Sequence, residues 1–153
     1  MNHLTSIFHL NQTIDFWHSV GINDKQLLSL ILRNYSQLLD QDFIVPGAVY
    51  EKLDKAEVIW ATDHANKVLG GICYHLDSSM QIANILLNFS TTEFDLEMHK
   101  TCHAQFELKS KEKHIVTLVY TVHSNNETEM SRAKELGMKP TYCYLSQTLL
   151  KDI

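Results

Sequence analysis

The hydrophobic pattern near the start of the chain predicts a short helix. Over residues 13–20, Ile14 and Trp17 fall on one side of a helix, with Val20 one turn later. Gly21 follows at the position where glycine commonly ends a helix. We therefore expect a helix over residues 13–20.

A second, longer helix is predicted directly after the first. Asn23 has a side chain suited to an N-cap, and Gln26, three residues later, completes a capping box. Apolar residues then recur at helical spacing between Leu27 and Leu39. The pattern predicts a helix that runs to about Asp40 and covers one face of a sheet.

Three strands are predicted next. Residues 57–62 and 68–76 are apolar runs separated by a polar turn at 63–67, a pattern typical of a hairpin. A third run, residues 81–89, is apolar on both faces over much of its length. Such a run is typical of a central strand that is covered on both sides.

The last third of the chain alternates helices and strands. Apolar residues repeat every four positions around residues 95–110, which predicts a helix with a buried stripe of Phe94, Met98, Cys102 and Phe106. Residues 115–122 are rich in β-branched side chains and predict a buried strand. A turn and cap at 124–126 introduce a helix over 127–136, Gly137 follows its end, and residues 141–149 close the sheet.

This order predicts an α/β (α+β) fold in a single domain over residues 1–153. The sheet is expected to be mixed, mostly antiparallel and twisted, with helices on both faces. The helix at 95–110 crosses over between two strands, which should therefore be parallel and connected in the right-handed sense.

Composition excludes some classes of function. Apolar residues make up 44% of the 153 residues and the net charge is −5, which argues against a nucleic-acid partner bound through a basic surface. The three cysteines have no paired spacing, as expected of free thiols in a reducing compartment. Without a basic signal region or a long apolar run, we expect a cytoplasmic protein that does not enter a membrane.

Two short motifs carry a resemblance to a known family. The first is Lys67-Val68-Leu69-Gly70-Gly71-Ile72, and the second is Asn126 followed by Leu136-Gly137-Met138. Together with the element order, they make residues 25–150 similar to the GCN5-related N-acetyltransferase (GNAT) superfamily. The resemblance implies transfer of an acyl group from acetyl-CoA, or another acyl-CoA, to a small-molecule or peptide amine. The amine would attack directly in a ternary complex.

The resemblance also implies which residues bind the cosubstrate. The backbone of Phe89, Ser90 and Thr91 would pair with the pantetheine arm, and Asn126 would face the thiol end. The pyrophosphate would lie on the N-terminus of the following helix, where N–H groups and the helix dipole favour an anion. The residues at that position are Leu96, Glu97, Met98 and His99.

The predicted pyrophosphate loop departs from the family pattern. Residues 91–99 contain no glycine, and Glu93, Asp95 and Glu97 add negative charge. At ~6 Å and an effective dielectric of ~20, one carboxylate would repel a unit negative charge by roughly 2–3 kcal/mol before screening. Acids in a first helical turn also complement the dipole without any ligand. The predicted pyrophosphate-binding loop is therefore a degenerate form of the family motif. The alternative to an acyltransferase is a binding or regulatory module that has the same fold but does not use CoA.

The catalytic residues are less well defined by the pattern. Many family members have a general-acid tyrosine seven residues after the asparagine, where this chain has Ala133. His123 and Glu93 are the candidate general bases. The tyrosines that could replace the missing acid are Tyr120, Tyr142 and Tyr144.

Three further alternatives were open. His99 and His103 have a spacing that can bind a metal, but Lys100 replaces the base of zinc proteases and no third ligand is evident, so no metal site is expected. An acyl carrier protein could supply the acyl group if Lys100 and residues 109–113 formed its basic contact. The tyrosine face of the last predicted strand could support a homodimer.

Overall fold

Six strands form one sheet in which the spatial order follows the sequence order. The computed structural model describes residues 1–43, 53 and 55–141. The strands are β1 (Asn2–His9), β2 (Gln12–Val20), β3 (Glu57–Thr62), β4 (Val68–Asp77), β5 (Ile82–Ser90) and β6 (Thr117–Tyr120). The main helices are α1 (Lys25–Asp40), α2 (Leu96–Glu112) and α3 (Glu127–Glu135).

The strands β1 to β5 are antiparallel to their neighbours, and β6 is parallel to β5. The helix α2 connects the two parallel strands, as the crossover pattern predicted. The mixed, mostly antiparallel sheet is therefore confirmed for the described residues. It contains one hairpin more than the sequence indicated.

The predicted helix over residues 13–20 is wrong, because this segment is the strand β2. Ile14, Phe16 and His18 are buried while the residues between them are more exposed, which is the two-residue period of a strand. Leu10 and Asn11 both have positive φ and form the two-residue turn that joins β1 to β2. Trp17, predicted to lie on the same side as Ile14, therefore projects from the other face.

The helix α1 ends at Asp40 as predicted, but its first turn differs. Asp24, not Asn23, is the N-cap, and its carboxylate accepts a hydrogen bond from the N–H of Leu27 at 2.9 Å. Gln26 does not complete a capping box, because its side-chain oxygen accepts a hydrogen bond from the N–H of Val68 instead. A tertiary contact thus replaces the predicted local one.

Most of the other predicted elements are present. The hairpin β3–β4, the strand β5, the helix α2 with its buried stripe, and the helix α3 all agree with the sequence pattern. The strand β6 is shorter than predicted, with four residues that are half-buried or exposed instead of a buried strand over 115–122. The predicted strand over 141–149, which contains Tyr142 and Tyr144, lies outside the described residues apart from Thr141.

Two hydrophobic clusters pack on the two faces of the sheet. One joins the stripe of α2 to residues of β2, β3 and β4, including Ile14, Ile59 and Tyr74. The other joins Leu27 and Ile31 of α1 to the opposite face. This confirms helices on both sides of the sheet. None of the described helices has the length and apolar character needed to cross a membrane.

Candidate functional site

The strands β5 and β6 separate halfway along β5. Their pairing covers only Ile82–Ile85 opposite Thr117–Tyr120, whereas β5 continues to Ser90. At the point of separation the register between β4 and β5 skips Leu86, because Ile85 lies opposite Tyr74 while Leu87 lies opposite Cys73. Such a bulge bends a strand and redirects its side chains. Ile85 accordingly joins the cluster on the α2 face, and Leu87 joins the cluster on the α1 face.

A polar cavity of about 270 Å³ opens where the two strands separate. It lies between α1, the end of β5, the end of β6 and the helix α3. Its described lining consists of Asn34, Gln37, Leu38, Gln41, Phe43, Asn88, Ser90, Tyr120, Asn126, Thr128, Glu129 and Arg132. The cavity is therefore lined by amide, hydroxyl and charged groups rather than by a hydrophobic wall.

Glu129 connects the polar groups on one side of this cavity. Its carboxylate accepts hydrogen bonds from the Tyr120 hydroxyl at 2.6 Å and from the Asn88 amide at 3.3 Å. It also forms an ion pair with Arg132, one turn further along α3. Burial raises the pKa of Tyr120 to about 12, so the phenol keeps its proton at neutral pH. The Tyr120–Glu129 hydrogen bond is charge-assisted, because its acceptor is a carboxylate.

Arg132 also influences a buried histidine on the neighbouring helix. Burial, together with the positive charge of Arg132, lowers the pKa of His99 to about 3. The imidazole is therefore neutral at physiological pH, and it packs edge-on against Phe94 with ring centroids 4.4 Å apart. Its Nε2 atom has no hydrogen-bond partner among the described residues. His99 is thus a packed core residue rather than a base open to solvent.

The backbone that was predicted to pair with pantetheine is already hydrogen-bonded. The Asn34 side chain accepts from the N–H of Ser90 at 3.2 Å and donates to its carbonyl at 3.3 Å. The N–H and the hydroxyl of Thr91 both donate to the Leu69 carbonyl at 2.8 Å. The Phe89 side chain is fully buried in the core. Of these three predicted residues, only Ser90 lines the cavity.

The start of α2 is capped by the protein's own carboxylate. Asp95 is the N-cap and accepts a hydrogen bond from the N–H of Met98 at 3.1 Å. The same side chain accepts a hydrogen bond from His9 at 2.6 Å, which ties the first hairpin to this helix. Of the residues predicted to hold a pyrophosphate, Leu96 and Glu97 are exposed, whereas the side chains of Met98 and His99 are buried in the core.

Asn126 lines the cavity, and it also has a structural role. Its side chain accepts a hydrogen bond from the N–H of Glu129 at 3.2 Å and thereby caps α3. The residue is 8% exposed and lines the cavity. Its contact with the thiol end of a donor stays a prediction.

The structure does not bring the two candidate bases together. His123 is exposed, accepts a hydrogen bond from the N–H of Asn125, and stacks on Phe43 with ring centroids 5.7 Å apart. Glu93 is exposed and forms an ion pair with Lys67 at 2.5 Å. The catalytic roles of His123 and Glu93 stay predictions.

The histidines at 99 and 103 do not form a metal site with their neighbours. His103 is buried and faces Glu107 at 3.3 Å, while His99 packs against Phe94. Within residues 1–43, 53 and 55–141, no group of three or more potential ligands is arranged to hold a metal ion.

Several residues of the cavity were not identified from the sequence, among them the hydrogen-bonded or ion-paired side chains of Asn34, Asn88, Glu129 and Arg132. Tyr120 was identified only as one of three tyrosines that could supply a proton. A local signal exists for Glu129, because it lies three residues after the cap Asn126. No local signal exists for Asn34, because its role depends on which strand α1 packs against.

No family model matches the chain, and no curated protein matches its sequence. Its fold is similar to that of several solved N-acetyltransferases. The ribosomal-protein-alanine N-acetyltransferase from Brucella melitensis biovar Abortus 2308 aligns with a TM-score of 0.67 and 14% identity, over 89% of this chain and 99% of that one. The aminoglycoside acetyltransferase meta-AAC0020 from an uncultured soil metagenomic sample, in complex with sisomicin, aligns with a TM-score of 0.66 and 14% identity. That alignment covers 90% of this chain and 97% of the other.

A third similar structure is the catalytic domain of the Tetrahymena GCN5 histone acetyltransferase in complex with coenzyme A. It aligns with a TM-score of 0.63 and 14% identity, over 86% of this chain and 80% of that one. The protein therefore has the GCN5-related N-acetyltransferase fold, which confirms the fold class predicted from the sequence.

The sequence resemblance implies acyl-CoA as the cosubstrate, and the two ends of the predicted site fit it differently. The separated strands and the polar cavity provide room for a thioester beside Ser90, Tyr120 and Asn126. At the start of α2, the Asp95 carboxylate already accepts the N–H of Met98. The thioester end of the site therefore has room for the cosubstrate, although Asn34 already bonds the Ser90 backbone, whereas the N–H of Met98 at the pyrophosphate end is already capped.

Proposed function

We propose that this protein is an N-acyltransferase that moves an acyl group from a CoA thioester to an amine. The observation that carries the proposal is the separation of β5 and β6 beyond Ile85, with a polar cavity of about 270 Å³ at the opening. The likeness to N-acetyltransferases over most of the chain supports it. The acceptor is a small-molecule or peptide amine, and sisomicin bound to the metagenomic enzyme is an example of such a compound.

The cavity contains residues that are suited to proton transfer. The amine must lose a proton as it attacks the carbonyl, and the departing thiolate must gain one. Tyr120 and Glu129 are joined at 2.6 Å and are suited to this exchange. Glu129 would take the proton of the amine, Tyr120 would give its own proton to the thiolate, and the hydrogen bond between them would return a proton to the phenolate. Asn88 and Arg132 hold the carboxylate in position. His123 and Glu93 stay the alternative bases.

The proposal is tested first by calorimetric titration of acetyl-CoA into the purified protein at low and moderate salt. Acyl transfer is then followed by the release of free thiol in the presence of an aminoglycoside, a polyamine, and peptides with a free N-terminus or lysine. We expect binding and amine-dependent thiol release. The absence of both at millimolar acetyl-CoA would overturn the proposed function.

A second candidate is a binding or regulatory module that has the fold but does not use CoA. The specific observation in its favour is the Asp95 carboxylate at the start of α2, where a pyrophosphate was expected. This candidate predicts neither heat nor thermal stabilisation with acetyl-CoA. The same titration therefore separates the two candidates.

A further inference from the structure

A carboxylate of the protein itself lies at the N-terminus of α2, where an anion would otherwise bind. The Asp95 carboxylate accepts the N–H of Met98 at 3.1 Å and occupies the position where the helix dipole favours negative charge. Burial alone would raise the pKa of Asp95, but hydrogen bonds from His9 and from the N–H of Met98 outweigh that effect and lower it. The carboxylate is therefore ionised at neutral pH. A phosphate group bound at the N–H of Met98 would have to displace it.

His9 makes that displacement more difficult. The imidazole donates to the Asp95 carboxylate at 2.6 Å and comes from the end of β1, 86 residues away in the sequence. The contact joins the first hairpin to the start of α2. Moving Asp95 aside would break both this bond and the helix cap, and it would leave the carboxylate close to the incoming phosphate.

The side chains that flank Asp95 in the sequence offer no positive charge to a pyrophosphate. Phe94 is buried against the backbone of β4, so near that a Cβ added to Gly70 would lie 2.6 Å from its ring. Lys67 is paired with Glu93 at 2.5 Å, and Glu97 adds another exposed carboxylate in the first turn. The described lining of the cavity between β5 and β6 instead includes the uncharged polar side chains of Asn88, Ser90 and Asn126.

We propose that the donor is recognised through its acyl-pantetheine part alone, and that the nucleotide diphosphate of CoA contributes nothing to binding. This inference rests on the proposed acyltransferase function and narrows its donor class. Three sources supply the same chemistry, namely acyl-CoA, free acyl-pantetheine and the acyl-pantetheine arm of a carrier protein. Any of them places the same thioester in the β5–β6 cavity.

The experiment compares acetyl-CoA, acetyl-pantetheine and an acetylated carrier protein as donors to one amine. We expect kcat/KM for acetyl-CoA and acetyl-pantetheine to agree within about threefold, since the missing diphosphate contacts remove no transition-state binding. A value for acetyl-pantetheine about 100-fold or more below that for acetyl-CoA would overturn the inference and leave the proposed function standing. A kcat/KM for the acetylated carrier protein at least equal to that for acetyl-pantetheine would support the inference. It would also identify the carrier protein as the source of the acyl group. No turnover with any thioester would overturn the proposed function itself.

Calorimetry tests the same inference by measuring binding affinities, which do not depend on turnover. We expect CoA and pantetheine to bind with equal affinity, and adenosine 3′,5′-bisphosphate not to bind. Tighter binding of CoA than of pantetheine by about tenfold or more would contradict the proposal.

The variant Asp95→Asn tests whether the charge of Asp95 is what keeps the diphosphate of CoA from contributing to binding. Asparagine caps a helix as well as aspartate does but carries no charge. We expect CoA to bind D95N about tenfold more tightly than the natural protein, with pantetheine binding unchanged, because the internal anion is removed. The matched control is D24N, which makes the same change at the cap of α1 and should alter neither affinity. Equal effects of D95N on both ligands, or no effect on either, would contradict the assigned role of Asp95.

Discussion

The side-chain amide of Asn34 is hydrogen-bonded to both backbone groups of Ser90. It accepts from the N–H at 3.2 Å and donates to the carbonyl at 3.3 Å. A helix side chain thus takes the place of the next strand just where β5 has separated from β6. The contact fixes α1 against the open end of the sheet and forms one wall of the cavity.

Replacing Asn34 should destabilise the protein. The variant N34A leaves the backbone groups of Ser90 without this partner in a half-buried environment, at a cost of about 1–2 kcal/mol that the higher helix propensity of alanine offsets only by a few tenths. Urea denaturation would measure the loss. The control is S36A on the exposed surface of the same helix and outside the cavity lining, which should change stability by less than ~0.5 kcal/mol. Equal stability of the two variants would show that the Asn34–Ser90 contact contributes nothing.

Removing the Tyr120 hydroxyl should slow acyl transfer without weakening substrate binding. Under the proposed function, Y120F loses the proton path to Glu129, and kcat should fall by about 10²-fold with KM changed by less than about twofold. Steady-state kinetics with acetyl-CoA would measure both. The control is Y74F, because the Tyr74 hydroxyl donates instead to Glu57 at 3.4 Å. A Y120F enzyme with normal kcat would exclude Tyr120 from the proton path.

The buried histidines should make the folded state less stable as pH falls. Burial, reinforced by Arg132, lowers the pKa of His99 to about 3, and burial also lowers the pKa of His103. As pH falls below about 6.5, the unfolded chain takes up protons at these side chains before the folded protein does. Each therefore contributes stability that is present above about pH 6.5 and is lost as pH decreases, by at most about 1.4 kcal/mol per pH unit.

The variant His99→Phe checks this dependence because it cannot take up a proton. Urea denaturation at pH 7.5 and pH 5.0 should give a smaller difference in unfolding free energy for H99F than for the natural protein. The expected reduction is on the order of 1–2 kcal/mol over this interval. Identical pH dependence of the two proteins would mean that His99 does not carry the effect.

Two glycine substitutions should have very different costs. A Cβ at Gly71 would lie 2.2 Å from the Ile59 carbonyl oxygen and 2.8 Å from Trp60 Cα, so the paired strands would have to move apart. We expect G71A to lose about 3 kcal/mol or more, or to prevent folding. At Gly137 nothing lies within 4 Å of the added Cβ, and only the positive φ of +91° opposes alanine. G137A should therefore cost only about 1–2 kcal/mol, and equal costs would contradict this explanation.

The elements predicted correctly are those whose signal is local. The stripe of Phe94, Met98, Cys102 and Phe106 repeats at helical spacing and is buried in the structure. Asn126 caps α3 and Gly137 has positive φ after its end, as their positions indicated. The β2 segment was misread because Ile14 and Trp17 match a helix over a few residues. The alternation of Ile14, Phe16 and His18 becomes informative only beside the paired strand β1.

Local patterns in the chain predicted the order of most elements, the likeness to the N-acetyltransferase fold, and a loop before α2 without glycine. Local spacing and turn chemistry carry that information. The pairs of groups that meet across the fold could be found only from the three-dimensional arrangement: Asn34 with Ser90, Tyr120 with Glu129, and His9 with Asp95. These partners lie 56, 9 and 86 residues apart. Their contacts depend on how helices pack on the sheet and on where β5 separates from β6, which no local pattern specifies.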